Sequence, residues 1–493
     1  MYRYLAYLRV VFTLRNAMRL LFAIVLVALL WSAFCVEERW RGRRLWEEYR
    51  RDAIARGVPM TMQEFARPEV PDAENYAAIP MVEALFTAQE ARQRVPEWFA
   101  ALKLDPGGSR RPAFPGVGPA PSLEAWRDYF VAEGVLSAAS PDPAADVLTA
   151  IEKVAPELDQ LHEAGRRPRS KFPVHWERGF AAGVPHLGAL TKAVNVLQLR
   201  MSAHLAHMES ALAYEDFREA LRIYQAIRDE PVVISGLVRV AIVAKLAARV
   251  CDGVAGGKWS DPELRKLQAD FSGLRIADDW RFALNSERAL GNGIMSEIPN
   301  LGDRALARLV DDVSAGADPR GMSISLYPRG WFWLSQRKIN EFYDRSVARA
   351  DAIAAGQTIV LPSDVAGDVE ALARRGLFAR LPYAMYIVLA PALGNVEATY
   401  LHCLATVDQA QIACALERNR LAKGAYPERL EVLVPEFIQA LPADPISQAA
   451  MRYRVTAAGG FEVWSVAMNG VDDSAREEEK KGPRDQPDWV WRR

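Results

Sequence analysis

The sequence predicts a mainly α-helical protein with a single N-terminal transmembrane helix, a body of helical hairpins and a small α+β module at the C-terminal end. Three observations support this prediction. An uncharged apolar run lies near the N-terminus, apolar residues recur at helical spacing through the middle of the chain, and alternating, turn-rich sequence begins at about residue 399. The expected parts are a cytoplasmic N-terminus and anchor at 1–36, a helical body at 37–398 and the module at 399–493.

The composition is that of an ordered globular chain. Half of the 493 residues are hydrophobic and a quarter are charged, which favours several folded units over disorder. The 61 basic and 62 acidic residues leave a net charge of −1, so no global charge favours nucleic acid as a partner. The cysteines are too scattered for a disulfide framework and are expected to be small core residues: Cys35, Cys251, Cys403 and Cys414.

The anchor is predicted from the run Leu20–Val36, which contains 17 uncharged residues. This is the lower end of the length that spans a bilayer. Arg19 can snorkel at one end, and Trp31 and Trp40 suit the other interface. A cleaved signal peptide is the alternative, but only Ala33-Phe34-Cys35 approaches a cleavage site. We therefore expect an uncleaved anchor, with the lipid bilayer as partner.

Helical periodicity is clearest between about Leu187 and Tyr214. Apolar residues recur there at spacings of three and four and form one stripe: Leu190, Val194, Leu197, Met201, Leu205, Met208 and Leu212. Two more helices are expected at 214–228 and 232–250, separated by Pro231. This succession indicates stacked antiparallel helix pairs.

Three further segments complete the body. The charged stretch Glu37–Arg56 is expected to continue the membrane helix outward. Asp261 is predicted to cap a helix that has Pro262 at its first position. The apolar stretch Leu381–Val396 is too short and too interrupted by Pro391 for a second membrane span, so a buried helix pair is expected there.

The last ninety or so residues carry a series of short turn motifs. A predicted helix at 399–423 is followed by Gly424-Ala425-Tyr426-Pro427, then by Leu441-Pro442-Ala443-Asp444-Pro445 and a predicted hairpin at 452–466. This order resembles the soluble domain of the major pseudopilin of type II secretion systems, in which a helix ends at a Gly-x-Tyr-Pro turn and a Pro-x-Asp-Pro turn precedes a small sheet. The overall layout is similar to that of membrane-anchored bacterial envelope proteins.

The resemblance implies a calcium site in the loop that follows the hairpin. In the pseudopilin family this loop binds calcium through aspartates and backbone carbonyls, and Asn469 and Asp488 fall at two of the family's aspartate positions. Asp472 and Asp473 could add carboxylates. The chain departs from the family where Asn469 is neutral and Ala467 replaces a glycine. The implied cofactor is calcium, and a solvated acidic tail is the alternative.

Arginines flank the apolar run on both sides and do not fix its orientation. Arg3, Arg9, Arg15 and Arg19 precede it, and those that follow it include Arg39, Arg41, Arg43, Arg44, Arg50 and Arg51. Long domains are translocated largely regardless of loop charge, and the domain that the C-terminal region resembles is periplasmic. We therefore expect a single-pass protein of the bacterial inner membrane with the bulk of the chain in the periplasm.

The other chemical motifs are weak. His204 and His207 have a spacing that metal ligands can use, but no third ligand is identifiable, so both are expected to be ordinary helix residues. Ser335 and Lys338 fit a Ser-x-x-Lys pattern without the partner motifs of serine acyl enzymes. The segment 253–258 resembles a phosphate loop only superficially, because its glycine spacing is one residue short. No catalytic residue is predicted.

Two functions follow from this reading. The first is a membrane-anchored envelope scaffold or interaction protein, associated with a secretion or pilus-like assembly through its C-terminal module. The second is an anchored periplasmic enzyme, a hydrolase, whose site is assembled from residues far apart in sequence. An enzyme predicts a deep pocket with convergent titratable groups, and a scaffold predicts shallow grooves. The scaffold is favoured, since none of the searched catalytic motifs is complete.

Overall fold

The structure, a computed structural model, describes residues 14–90, 101–103, 122–301, 327–357, 359, 365–476 and 485–493. The described chain is mainly helical with one small antiparallel sheet, which confirms the predicted fold class at that level. Its helices are α1 (Leu14–Ala55), α2 (Pro80–Glu90), α3 (Leu123–Ala132), α4 (Pro143–Ile151), α5 (Ala155–Ala164), α6 (Pro185–Ala206), α7 (Ser210–Ala226), α8 (Val233–Ala255), α9 (Asp261–Ser272), α10 (Ile276–Glu297), α11 (Gly330–Ala354), α12 (Val365–Arg374), α13 (Leu377–Arg380) and α14 (Ala384–Lys423). Its strands are β1 (Arg452–Val455), β2 (Phe461–Ser465) and β3 (Trp489–Arg492).

The chain divides into two compact units. Unit 1 comprises Met1–Met60, Gly291–Phe342 and Ala366–Pro391. Unit 2 comprises Thr61–Leu290, Tyr343–Val365 and Ala392–Arg493. Helices α10, α11 and α14 each contribute residues to both units.

In unit 1, helix α1 continues without a break from the apolar run into the charged segment that follows it, as predicted. Beyond Val36 one face of this helix is covered, because Glu38, Gly42, Trp46 and Ala53 are buried at spacings of four, four and seven residues. These spacings keep them on one side of the helix, so the outer part of α1 packs as a core helix. An apolar cluster on this face consists of Trp46, Ala53, Met60 and Trp333.

Two glycines allow α1 to approach the start of α11 closely. A Cβ atom on Gly330 would lie 1.9 Å from the carbonyl oxygen of Glu38, and one on Gly42 would lie 2.1 Å from the carbonyl oxygen of Gly330. Any larger residue would overlap the backbone at either position. The indole Nε1 of Trp331 donates to Glu38 Oε2 at 2.7 Å, and its ring meets the ring of Phe34 edge-on with centroids 6.2 Å apart.

A buried amide network joins α10 to α11 in unit 1. Asn292 and Asn340 exchange side-chain hydrogen bonds of 3.1 and 2.7 Å, and Gln336 donates to Asn292 Oδ1 at 3.1 Å. All three side chains are at most 5 % exposed. Because a shift of one helix along the other would leave these buried amides without partners, the network fixes the register of the pair.

In unit 2, α6 and α7 form a helical hairpin that the sequence analysis placed incorrectly. A single helix was expected through residue 214, but α6 ends at Ala206 and α7 begins at Ser210. Met208 adopts a φ of 60° in the turn, and the ring of His207 pairs with Asp142 Oδ2 at 2.9 Å. The chain reverses there, so Met208 is exposed and the buried stripe ends before it.

A buried ion pair links three helices of unit 2. Arg239 of α8 donates to Asp279 Oδ2 of α10 at 2.6 Å and to the carbonyl of Tyr224 of α7 at 3.1 Å. The Tyr224 hydroxyl donates to the same oxygen of Asp279. Because Arg239 and Asp279 are at most 5 % exposed, removing either one leaves the other charge buried alone. Such a loss usually costs roughly 3–5 kcal/mol.

Two helix starts differ from the sequence prediction. The N-cap of α9 is Ser260 rather than Asp261, so the predicted cap is wrong by one residue. The stretch 381–396 was predicted as a buried helix pair, and this prediction is wrong. It forms a short 3-10 turn followed by the first turns of α14, and Val388 in it is 67 % exposed. Pro391 lies inside this helix of 40 residues. A proline has no backbone N–H and therefore removes one hydrogen bond of the helix.

The C-terminal sheet has the strand order β1-β2-β3 and is antiparallel throughout. Tyr453 lies opposite Val463, and Val463 lies opposite Trp491. The predicted hairpin is therefore confirmed. Gly424 ends α14 with a φ of 86°, the left-handed conformation expected of a glycine cap.

Side chains of α14 attach this sheet and the preceding turns to the helices of unit 2. Gln409 donates to the carbonyl of Trp489 at 2.6 Å. Arg418 donates to the carbonyl of Phe437 at 2.8 Å and to Asp261 of α9 at 2.9 Å. The sheet and the turns before it are thus bonded to α14, and α14 to α9, through buried polar side chains.

Candidate functional site

The loop between β2 and β3 contains all four residues implied as calcium ligands. Its backbone is strained, because Ala467, Ser474 and Ala475 have φ values of 48°, 61° and 64°. A left-handed backbone costs a residue with a Cβ atom roughly 1–2 kcal/mol, and such strain concentrates at functional sites. Ala467 therefore holds a conformation that favours the glycine expected there from the resemblance.

Asp488 closes this loop from the inside. The residue is fully buried and immediately precedes β3. Its Oδ2 accepts the backbone N–H groups of Ala475 at 2.9 Å and Arg476 at 3.3 Å, and its Oδ1 accepts that of Asp473 at 3.4 Å. Burial raises the pKa of Asp488, and these three donors oppose the rise. Both carboxylate oxygens are therefore directed at amide hydrogens.

Asp472 and Asn469 are also bonded to protein partners. Asp472 accepts a hydrogen bond from the indole of Trp464 at 3.0 Å and another from Arg452 at 3.2 Å. The Trp464 donor, with help from the Arg452 charge, lowers the pKa of Asp472. Asn469 donates to Asp473 Oδ2 at 2.7 Å, and its own oxygen accepts a backbone N–H two residues further on.

The structure places these four residues in one loop, where their side chains are bonded to other groups of the protein. Calcium takes about six to eight oxygen ligands, whereas the oxygens of Asp472 and Asp488 face N–H groups of the protein. Across the described ranges, no three His, Cys, Asp or Glu side chains are grouped as metal ligands. Calcium binding stays a prediction, and it would require the loop to exchange these hydrogen bonds for metal contacts.

Asp444 is a buried carboxylate to which the sequence analysis gave no role. It lies in the Pro-Ala-Asp-Pro turn and is fully buried. Its Oδ1 accepts the Ile446 N–H at 2.8 Å and the Ser465 hydroxyl at 3.1 Å, and its Oδ2 accepts the Val466 N–H at 3.0 Å. The carboxylate ties the turn to the end of β2. The flanking prolines indicated a turn, but no local pattern showed that the aspartate faces inward.

Asp408 of α14 is an acid whose pKa is strongly raised. Burial and the negative charge of Asp444 raise the pKa of Asp408 to about 8. Its Oδ1 accepts a hydrogen bond from Gln411 at 3.2 Å. Burial also lowers the pKa of His402 to about 4, and its ring meets Trp489 edge-on with centroids 5.1 Å apart. Shifts of this size occur at active sites, but six residues of helix place Asp408 and His402 on different faces of α14.

The two histidines of α6 and its following turn do not converge on a metal site. His204 Nδ1 lies 2.8 Å from Glu209 Oε2, and His207 Nε2 lies 2.9 Å from Asp142 Oδ2. Each ring therefore pairs with a different carboxylate. His204 lies within α6 as expected, whereas His207 follows its last residue and lies in the turn.

The other two motifs also lack an assembled site. The Ser335 hydroxyl donates to the carbonyl of Pro382 at 3.1 Å, and the Lys338 ammonium lies 3.6 Å from the carboxylate of Glu341. The serine and lysine thus have separate partners. Residues 253–255 form the last turn of α8, which is not a phosphate-binding loop.

Comparisons of the chain with protein-family models, with curated proteins and with solved structures find no match. The resemblance to the pseudopilin domain therefore rests on the short motifs of the C-terminal region.

Proposed function

We propose that this protein is a single-pass scaffold of the bacterial inner membrane, with the bulk of its chain in the periplasm. The observation that carries the proposal is the surface of α1. A window of 18 residues in this helix has a mean hydropathy of 2.5, and none of it is buried within the protein. Water is an unfavourable environment for so large an apolar surface, and a lipid bilayer is a favourable one.

The length of α1 supports an anchor that is rigidly joined to the body. Its 42 residues extend about 63 Å at 1.5 Å per residue, and the hydrocarbon core of a bilayer is only about 30 Å thick. The remaining part extends beyond the membrane and is buried along the stripe from Glu38 to Ala53. The contact between Gly42 and Gly330 locks this part into unit 1. A rigid connection suits a protein that presents surfaces at a fixed height above the membrane.

The buried ionisable groups favour a scaffold over an enzyme, because their hydrogen bonds link one structural element to another. Glu397 of α14 accepts hydrogen bonds from Arg349 at 2.7 Å and Ser346 at 3.1 Å, both on α11. Glu417 accepts bonds from Tyr426 at 2.5 Å and Arg493 at 2.7 Å. These carboxylates stabilise the fold. We also propose that the C-terminal module docks to a secretion or pilus-like assembly, and this part of the proposal rests only on the resemblance to the pseudopilin domain.

Membrane extraction tests the anchor. Full-length protein should stay in the membrane pellet after alkaline carbonate washing, and Leu26→Arg should weaken its retention, since a central arginine costs about 2.5–3.5 kcal/mol on insertion scales. Leu26→Ala is the matched control and should behave as wild type. A phosphatase fused to the C-terminus should be active if the body is periplasmic. Release of the wild-type protein by carbonate would refute the anchor, and an inactive but well-expressed fusion would refute the topology.

Co-purification tests the scaffold role. The detergent-extracted protein should retain partner proteins of the envelope when it is isolated from its native membrane. A deletion of residues 399–493 should lose those partners if the module is the docking element. Recovery of the wild-type protein without any stoichiometric partner would contradict the scaffold.

A further inference from the structure

We propose that residues 379–385, which run from the end of α13 into the first turn of α14, rest in the lipid headgroup layer beside the anchor, so that unit 1 contacts the bilayer at two places. This inference rests on the proposed function, because it requires α1 to span the membrane. The partner is the surface of a phospholipid bilayer.

Contacts within unit 1 place this segment beside the outer end of the apolar run. Tyr327 packs against Trp331 with ring centroids 5.1 Å apart, and its hydroxyl donates to the carbonyl of Leu381 at 2.8 Å. Trp331 in turn is bonded to Glu38 of α1. The phenol of Tyr383 also lies close enough to Arg41 for an electrostatic interaction. The segment is therefore level with the part of α1 just beyond the apolar run.

The rise per residue of α1 gives the depth of this segment relative to the bilayer. Arg41 is five residues beyond Val36, which is about 8 Å along the helix axis. The interfacial layer on each side of the hydrocarbon core is roughly 5–8 Å thick. A segment at the level of Glu38 to Arg41 therefore lies within or at the outer edge of the headgroups when α1 spans the bilayer.

The composition and exposure of the segment suit this environment. Its sequence, Ala-Arg-Leu-Pro-Tyr-Ala-Met, contains one charge, and all seven residues are half-buried. Shortly after the segment, Val388 of the same unit is 67 % exposed. Tyrosine and arginine are favoured at membrane interfaces, where an apolar body and a polar end are both satisfied. Exposed Arg39 and Arg43 add positive charge on α1 near the same level, which favours lipid phosphates.

Depth-dependent fluorescence quenching tests the second contact. A fluorescent amino acid would replace Leu26, Leu381 or Ile54 by stop-codon suppression, and each full-length variant would be reconstituted into phospholipid nanodiscs. Leu26 lies in the anchor and is 45 % exposed, and Ile54 lies in the same unit, about 27 Å along α1 beyond Val36, and is 52 % exposed. Met385 provides a second position in the segment in case replacement of Leu381 disturbs folding. The quenchers are one lipid labelled in its headgroup and one labelled in the middle of its acyl chain.

We expect the mid-chain lipid to quench position 26, the headgroup lipid to quench positions 381 and 385, and neither lipid to quench position 54. If position 26 is quenched but positions 381 and 385 are as weakly quenched as position 54, the second contact is overturned and the anchor stands. No quenching at position 26 would overturn the anchor and this inference with it. Equal quenching of positions 381 and 54 would also overturn the inference, since the contact would not be confined to the segment.

Discussion

Replacing Asp408 by asparagine should stabilise the protein above neutral pH. Burial and the charge of Asp444 raise the pKa of Asp408 from 3.8 to about 8. Between these values the folded protein holds a proton that the unfolded chain has released, so the free energy of unfolding falls as the pH rises from about 4 to about 8. Asparagine has nearly the same shape and no proton to lose, so the variant should not show this decline.

The expected gain can be bounded from the pKa shift. Each pKa unit corresponds to about 1.4 kcal/mol, so a shift of this size sets an upper limit of roughly 5–6 kcal/mol. Asp408 is only half-buried by surface area, and Gln411 donates to it. Because water and this donor both stabilise the carboxylate, we expect the variant to gain about 2–3 kcal/mol at pH 8.5 and nothing at pH 4. The lowered pKa of His402 affects both proteins equally and cancels in the difference.

Urea unfolding of the full-length proteins in a non-ionic detergent, followed by tryptophan fluorescence from pH 4.5 to 9, measures this difference. Asp472→Asn is the control, because that exposed acid has a pKa lowered by Trp464 and Arg452. Its neutralisation should reduce stability at pH 8.5, which is the opposite sign. If the unfolding free energies of Asp408→Asn and wild type run parallel over the whole pH range, Asp408 is not a buried proton-holding acid.

Three further changes test separate parts of the structure by the same unfolding assay. Gly330→Ala should destabilise the protein by roughly 3 kcal/mol or more, because its Cβ would overlap the backbone of α1. Gly291→Ala, where an added Cβ meets no described atom within 4 Å, should instead stabilise helix α10 by up to about 1 kcal/mol, and equal effects of the two changes would contradict the packing. Asp488→Asn should cost about 2 kcal/mol by weakening the acceptors that close the loop. If calcium binds there, millimolar calcium should raise the melting temperature of wild type but not of Asp488→Asn, and identical melting in calcium and chelator would show that the carboxylates serve only as acceptors. Ser474→Gly should gain roughly 0.5–1 kcal/mol, because glycine adopts the left-handed backbone without strain; a loss of stability would mean that the serine side chain contributes to the loop.

Features that depend on local sequence were predicted correctly. The uncharged run and the charged segment after it formed one helix, α1, because no helix-breaking residue separates them. The alternation on either side of Gly459 and Gly460 produced the hairpin of β1 and β2. Helix α14 ends at Gly424, as predicted, because glycine readily adopts a positive φ. In each case the deciding interactions lie within a few residues of one another.

Features that depend on distant partners were missed. The apolar spacing continues through Met208 and Leu212, so periodicity alone gave no reason to end α6, and the turn there is fixed in part by a pair between His207 and Asp142, 65 residues away in the chain. The perturbed acid Asp408 also looked like any helix residue. Its burial and its neighbour Asp444 arise only when the Pro-Ala-Asp-Pro turn folds against α14. A motif search identifies residue types, but the surroundings of His207 and Asp408 form only when distant parts of the chain come together.

If α1 spans a membrane as proposed, its packing within unit 1 decides what kind of anchor it forms. A flexible tether needs helix-breaking residues between the membrane and the body, but the only glycine of α1 beyond the apolar run is Gly42, which is buried against Gly330. From Val36 to Ala55 the helix rises about 28 Å, and Trp46 and Ala53 of this part share a core with Met60 and Trp333. Tilting the anchor must therefore tilt unit 1 with it. A second contact at residues 379–385 would set both the tilt and the rotation of α1, because two points of attachment remove freedom that a single spanning helix retains.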